Sequence, residues 1–81
     1  MENKQEFVKS LESLLKLSRE FFDLEALEYV KKDHEEYVYI IYKGFLQKRI
    51  CVSGDSCIGI LTDFVNRYSS SPYILDDNIK L

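Results

Sequence analysis

Along residues 3–22 the apolar side chains recur every three to four positions: Phe7, Val8, Leu11, Leu14, Leu15, Phe21 and Phe22, with Ser18 as the one polar step. That spacing predicts a helix over 3–22 with one buried stripe. Lys4, Lys9, Glu12, Lys16, Arg19 and Glu20 occupy the other side, and Glu12 with Lys16 makes a favourable i,i+4 pair. Asn3 is the expected N-cap, with Glu6 three residues on as its capping-box partner. Docking on its own sheet is the main reading of this stripe, since a short chain needs a core; a membrane or a partner helix is the other.

The period then falls to two. Residues 25–32 read as a strand, although their propensities would also prolong the helix. Residues 36–42, Glu-Tyr-Val-Tyr-Ile-Ile-Tyr, are β-branched and aromatic, and Asp33-His34 makes the turn between the two strands. A hairpin centred there pairs Tyr29 with Val38 and Leu27 with Ile40. Gly44 sets the next register: a loop over Tyr42-Lys43-Gly44 places only glycine in the left-handed region. That choice aligns Leu27, Tyr29, Val38, Ile40, Leu46, Ile50 and Val52 on one face, with Lys48 as a polar intruder. A one-residue slip would invert every side chain of the third strand.

Ser53-Gly54-Asp55-Ser56 then opens a second helix, with Asp55 or Ser53 as cap, running to about Tyr68. Its expected buried stripe is Cys57, Leu61, Phe64, Val65 and Tyr68, flanked by Ile58 and Ile60. Gly59 inside it costs up to ~1 kcal/mol against alanine, which points to a close approach by the sheet or the first helix. Three serines and Pro72 end the helix, giving one domain over 1–72 and a tail over 73–81. The prediction is an α+β fold in the order α-β-β-β-α: a three-stranded antiparallel meander with both helices on the face bearing Leu27, Val38, Ile40, Ile50 and Val52.

Composition narrows function by exclusion. Eighty-one residues make one core, and 46% hydrophobic residues with 14% aromatics argue against disorder. Residues 1–36 hold ten acids and six bases, residues 37–81 four acids and five bases, so the net charge of −3 is unevenly placed. Nucleic-acid binders concentrate base on one face, and this chain does not. Two cysteines, Cys51 and Cys57, are too few for a secreted disulfide framework. The polar opening predicts no signal peptide, and no apolar run spans a bilayer. A cytoplasmic protein without a membrane segment is the expectation.

Candidate chemistry is sparse. Cys57 falls in the first turn of the second helix, where the dipole lowers a thiol pKa, but its only possible imidazole base, His34, is assigned to the opposite hairpin tip. A structural cysteine is the reading. Four zinc ligands at finger spacing are lacking, and Gly54-Asp55-Ser56 has neither the glycines nor the lysine of a phosphate loop. No catalytic residue, metal or cofactor is expected, and the protein is read as not an enzyme.

The register leaves one sheet face uncovered. It displays Tyr37, Tyr39, Ile41, Phe45, Gln47 and Arg49, with Glu28, Val30 and Cys51 beside them. Tyr and Arg dominate binding hot spots, so this face is the expected site for a protein partner. The competing reading has the tail fold over it through Tyr73, Ile74 and Leu75. An alternative acidic surface comprises Glu25, Glu28, Asp33, Glu35 and Glu36, which guard a strand edge or meet a basic partner. Lys48 and Arg49 on one outer strand and the acids on the other oppose edge pairing, so a homodimer, as open as a monomer here, is expected to use a face or a helix.

The order helix–strand–strand–strand–helix resembles the double-stranded-RNA-binding domain, which implies that fold and a nucleic-acid-binding alternative. That family grips phosphates with lysines at the start of its second helix. Asp55, Ser56, Cys57 and Ile58 stand there in this chain, with no base and one acid, which argues against that grip. In size, acidity and want of an enzyme motif the chain is also similar to small phage and prophage proteins directed against host defences, anti-CRISPR proteins among them. That resemblance implies an inhibitor that works by blocking a surface.

Overall fold

Asn3 caps the first helix as its position predicts, its side chain accepting the Glu6 N–H at 3.0 Å. The computed structural model describes residues 3–44 and 46–74. Helix α1 spans Lys4–Leu15 and stops seven residues before the end that its periodicity suggests. The Leu17 and Ser18 N–H groups bond back to Leu14 and Leu15 carbonyls at 3.1 and 2.9 Å, tightening the last turn. Ser18 then caps a 3-10 turn over Arg19–Phe21. The tight turn brings Phe21 back onto Phe64 and Tyr68, with ring centroids 5.9 and 5.0 Å away, where a straight helix would carry it past the sheet. Leu14, Leu17 and Phe22 are exposed, so Leu14 and Phe22 depart from the expected buried stripe.

Strand β1 covers Leu24–Lys32 and β2 covers Glu35–Tyr42, paired antiparallel with Tyr29 opposite Val38 and Leu27 opposite Ile40. Both pairs follow the predicted register. Asp33 holds the turn at φ 57°, a left-handed value that aspartate tolerates. A register shift between Leu24 and Ala26 lets both Leu24 and Leu27 reach the core.

Strand β3, Gln47–Cys51, completes a sheet of order β1-β2-β3. The connection begins one residue later than expected: Tyr42 stays in the ladder, its N–H bonded to the Leu46 carbonyl at 2.7 Å. Gly44, at φ 85°, supplies the left-handed turn. Tyr42 is buried and its ring meets Tyr73 edge-on, which explains why the strand keeps it. Moving the loop by one shifts the pairing by two and so keeps the parity predicted, with Val38 opposite Ile50 and Ile40 opposite Lys48. Leu46, expected on the core face, instead precedes β3 and is exposed.

Helix α2 spans Cys57–Arg67 and is capped by Ser56, whose hydroxyl accepts the Gly59 N–H. Ser53 and Asp55, the expected caps, have other partners. Ile60 and Phe64 form the buried line of α2 with Leu61 and Tyr68 beside it, while Val65 and Ile58 are exposed. Gly59 answers a close approach, though not by sheet or helix: a Cβ there would lie 3.0 Å from the Asp55 Cβ. Both helices cover one face, α1 over β1 and α2 toward β3, sealing Val8, Leu27, Val38, Ile40, Ile50 and Ile60 at 0–1% exposure. That burial is the main stabilising contribution.

Candidate functional site

Alternation along β2 sends Tyr37, Tyr39 and Ile41 to the face opposite the helices. The register stacks them in rows: Ala26–Ile41–Gln47, Glu28–Tyr39–Arg49 and Val30–Tyr37–Cys51. The structure therefore brings together Tyr37, Tyr39, Ile41, Gln47 and Arg49 as expected; Phe45 lies outside the described residues. Arg49 is the centre of this face. Its guanidinium lies 4.7 Å from the centroid of the Tyr37 ring, and Tyr39, opposite it in the ladder, raises the Arg49 pKa. The Tyr37 hydroxyl donates to Glu35, which raises the Tyr37 pKa by stabilising the neutral phenol.

Exposure is uneven. Arg49 and Cys51 are exposed and Tyr37 and Ile41 half-buried, but Tyr39 is only 7% exposed. Tyr37, Arg49 and Cys51 thus form the accessible end of the face. Tyr73 does not cover it. Its ring packs against Tyr42 and 4.9 Å from Lys48 Nζ, both on the helix-bearing side. Ile74 joins the outer edge of β3 through its N–H to the Gln47 carbonyl, 2.7 Å. Leu75, the third residue of the proposed cover, lies outside the described residues.

The acidic set does not form one surface. Glu25 sits exposed at the β1 irregularity, Asp33 in the hairpin turn, and Glu35 beside Tyr37. Glu28 pairs with Lys9 at 2.7 Å, which raises the lysine pKa. Glu36 corrects the sequence reading outright: it is 8% exposed and belongs to the helix-bearing side. Its carboxylate accepts from Lys4 Nζ and the Tyr29 hydroxyl, both at 2.7 Å, and from the Gly54 N–H at 3.3 Å. The ammonium, then the phenol, hold its pKa at about 2 against burial, which opposes them. Burial, reinforced by Glu36, pushes Tyr29 up to about 12.

Next to that corner, Asp55 faces Asp63. With both ionised, Asp55 Oδ2 would be buried without a donor. The Asp63 contact, then burial and the Glu36 charge, raise the Asp55 pKa, while Lys4 opposes. Sequence reading missed this pair, whose spacing of eight residues carries no helical signal across the cap.

The two sheet edges are finished differently. On β3, Ile74 takes the Gln47 carbonyl and Arg67 Nη1 the Cys51 carbonyl at 3.3 Å. Extending the Gln47–Ile74 bridge sets Pro72 opposite Arg49, and proline has no N–H to give. On β1, the Leu27 N–H turns away from β2 and donates to Glu12 Oε1 at 2.8 Å. Beside it a cavity of about 420 Å³ opens between α1 and β1, lined by Asn3, Gln5, Glu6, Lys9, Glu28 and Tyr29.

Cys57 is half-buried at the first position of α2 and His34 is exposed in the β1–β2 turn; Cys51 and Cys57 are not joined in a disulfide. Among the described residues no group of three or more His, Cys, Asp or Glu is set to hold a metal ion, and no helix is long and apolar enough to cross a membrane. The arrangement offers aromatic faces, one guanidinium and polar tips, which suit contact with another surface. No family model, curated protein or solved structure matches the chain.

Proposed function

We propose that this protein is a non-enzymatic binding module that occupies the surface of a protein partner through its helix-free sheet face. The observation that carries the reading is the Tyr37–Arg49–Tyr39 cluster: hot-spot residue types in contact on the sheet, with Arg49 exposed, Tyr37 half-buried and Tyr39 buried beneath them. Preordering matters because side chains already fixed lose less entropy on binding. The resemblance to phage anti-defence proteins gives the reading a specific form, an inhibitor that blocks a host complex.

The test is capture with purified bait. Wild type should retain a partner that the double variant Tyr37→Ala, Arg49→Ala loses, with both baits melting at similar urea concentrations. Undiminished capture by a folded double variant removes this face from consideration. A gel shift at about 50 and 200 mM salt tests the nucleic-acid alternative, whose mark is affinity that falls steeply with salt.

A further inference from the structure

The free edge of β1 carries a second surface, independent of the sheet face. In an antiparallel ladder successive residues turn their backbone groups alternately toward and away from the neighbouring strand. Leu27 donates outward to Glu12, so Tyr29 and Lys31 also turn their N–H and C=O outward. Glu12 closes the edge at Leu27, and Lys9 of α1 reaches round it to Glu28 on the open face. The stretch Glu28-Tyr29-Val30-Lys31-Lys32 lies beyond that cap, and the cavity between α1 and β1 opens at Glu28 and Tyr29.

That stretch is complementary to itself. Laid antiparallel on its own copy about Val30, it sets Tyr29 opposite Lys31 of the second chain, and both are outward-turned residues. Two such pairs by symmetry exchange four backbone hydrogen bonds. On the open face Glu28 falls opposite Lys32 of the copy, twice. Lys9 engages Glu28 Oε2, and a carboxylate has a second oxygen for another cation. On the other face Lys31 of the copy enters the cavity beside Glu6. Leu27 falls opposite Asp33 in the turn, so the Glu12 cap is undisturbed. Acids on this strand suggested that edge pairing is opposed; the lysines at 31 and 32 reverse that conclusion at this one register.

We propose that two copies of the chain associate through their β1 edges, Glu28–Lys32 against Lys32–Glu28, to make a continuous six-stranded sheet. An edge of five residues buries less than a standard interface, so association should be weak, on the order of 10 μM to 1 mM. Sedimentation equilibrium should show the mass rising from 9.6 kDa toward twice that value over this range, and less so in high salt. Glu28→Lys and Lys32→Glu should each weaken association about 10-fold or more, and an equimolar mixture of the two should restore it, since every crossing pair is then opposite in charge. Lys31→Pro, which removes an outward N–H and spares the ladder to β2, should abolish it with the far-ultraviolet circular dichroism kept. In the wild type, hydrogen exchange at the Tyr29 and Lys31 amides should slow as concentration rises. A monomer at 1 mM, amides indifferent to concentration, or a dimer that neither the charge variants nor their mixture alters would overturn the proposal.

Discussion

Strand β2 supplies both faces of the sheet, and the two treat polar groups in opposite ways. On the helix-bearing face the buried charges, Glu36 and Lys48, are bound by groups distant in sequence. Glu36 gathers Lys4, Tyr29 and Gly54; Lys48 Nζ donates to the Tyr68 carbonyl at 2.7 Å, where α2 ends. Each ties a helix terminus to the sheet, and Lys48 also complements the negative end of the α2 dipole. On the helix-free face Arg49 meets Tyr37 and Tyr39 within the sheet, and Tyr37 donates to Glu35. Glu28 at the outer edge pairs with Lys9 of α1, and Gln47 Oε1 is buried without a donor among the described residues. One face uses polarity chiefly to assemble the fold; the other chiefly orders a surface, joining the helix layer at its Glu28 edge.

Substitutions should separate the faces by size of effect. Ile40→Ala, at a fully buried position, should cost ~2–5 kcal/mol in urea melts through the cavity it leaves. Glu36→Ala should cost about 1–3 kcal/mol, because the Tyr29 hydroxyl and the Gly54 N–H lose an acceptor in a half-dry corner. The same corner sets acid sensitivity. The Glu36 pKa is depressed in the fold, so its contribution is complete above the ordinary value of 4.5 and is lost as pH falls toward about 2. Melts of Glu36→Gln and wild type should therefore converge below pH 3 and part above pH 5.

How far these assignments were legible in sequence depends on whether a signal is local. The β1–β2 register was readable to the residue, because period-two alternation and Asp33-His34 both act within a hairpin. The end of α1 was not: apolar spacing continues through Phe22, and only the packing of Phe21 on Phe64 makes the chain turn at Ser18. Glu36 shares the parity of Val38, so its side was readable, but a partner 32 residues away was not, and a glutamate flanking a turn reads as surface. Glu12 is similar: it borders the α1 stripe, yet its bond to a strand edge exists only once α1 has docked. The rows of the helix-free face followed from register alone, whereas the low exposure of Tyr39 within them did not.

A smaller effect of opposite sign should come from Asp55. Its pKa is raised, so its contribution is complete below the unfolded value and is lost as pH rises through the folded one. At neutral pH the Asp55–Asp63 pair therefore opposes folding. Asp55→Asn supplies a permanent donor to Asp63 and should stabilise by about 0.5–1 kcal/mol at pH 7. The gain should vanish near pH 3, where wild type carries the proton itself. A constant difference between the two melts from pH 3 to 7 would mean that Asp63 does not raise the Asp55 pKa.

The smallest effect on stability should be at the residue that matters most to the helix-free face. Arg49 is exposed, and its contacts to Tyr37 and Tyr39 join strands already held by the backbone ladder. Arg49→Ala removes one cation–π contact at a solvated site and the neighbour that Tyr39 faces across the ladder, so the fold should lose only ~0.5–1 kcal/mol. Tyr37 loses the guanidinium that fixes its ring, however, and a partner would then have to order two side chains on arrival. Capture should weaken by ~1–3 kcal/mol, more than stability does. The two quantities come from a urea melt and a titration on the same variant. If Arg49→Ala destabilises the chain as much as Ile40→Ala, the contrast between the faces fails, and Arg49 belongs with Lys48 among the residues that hold the fold together.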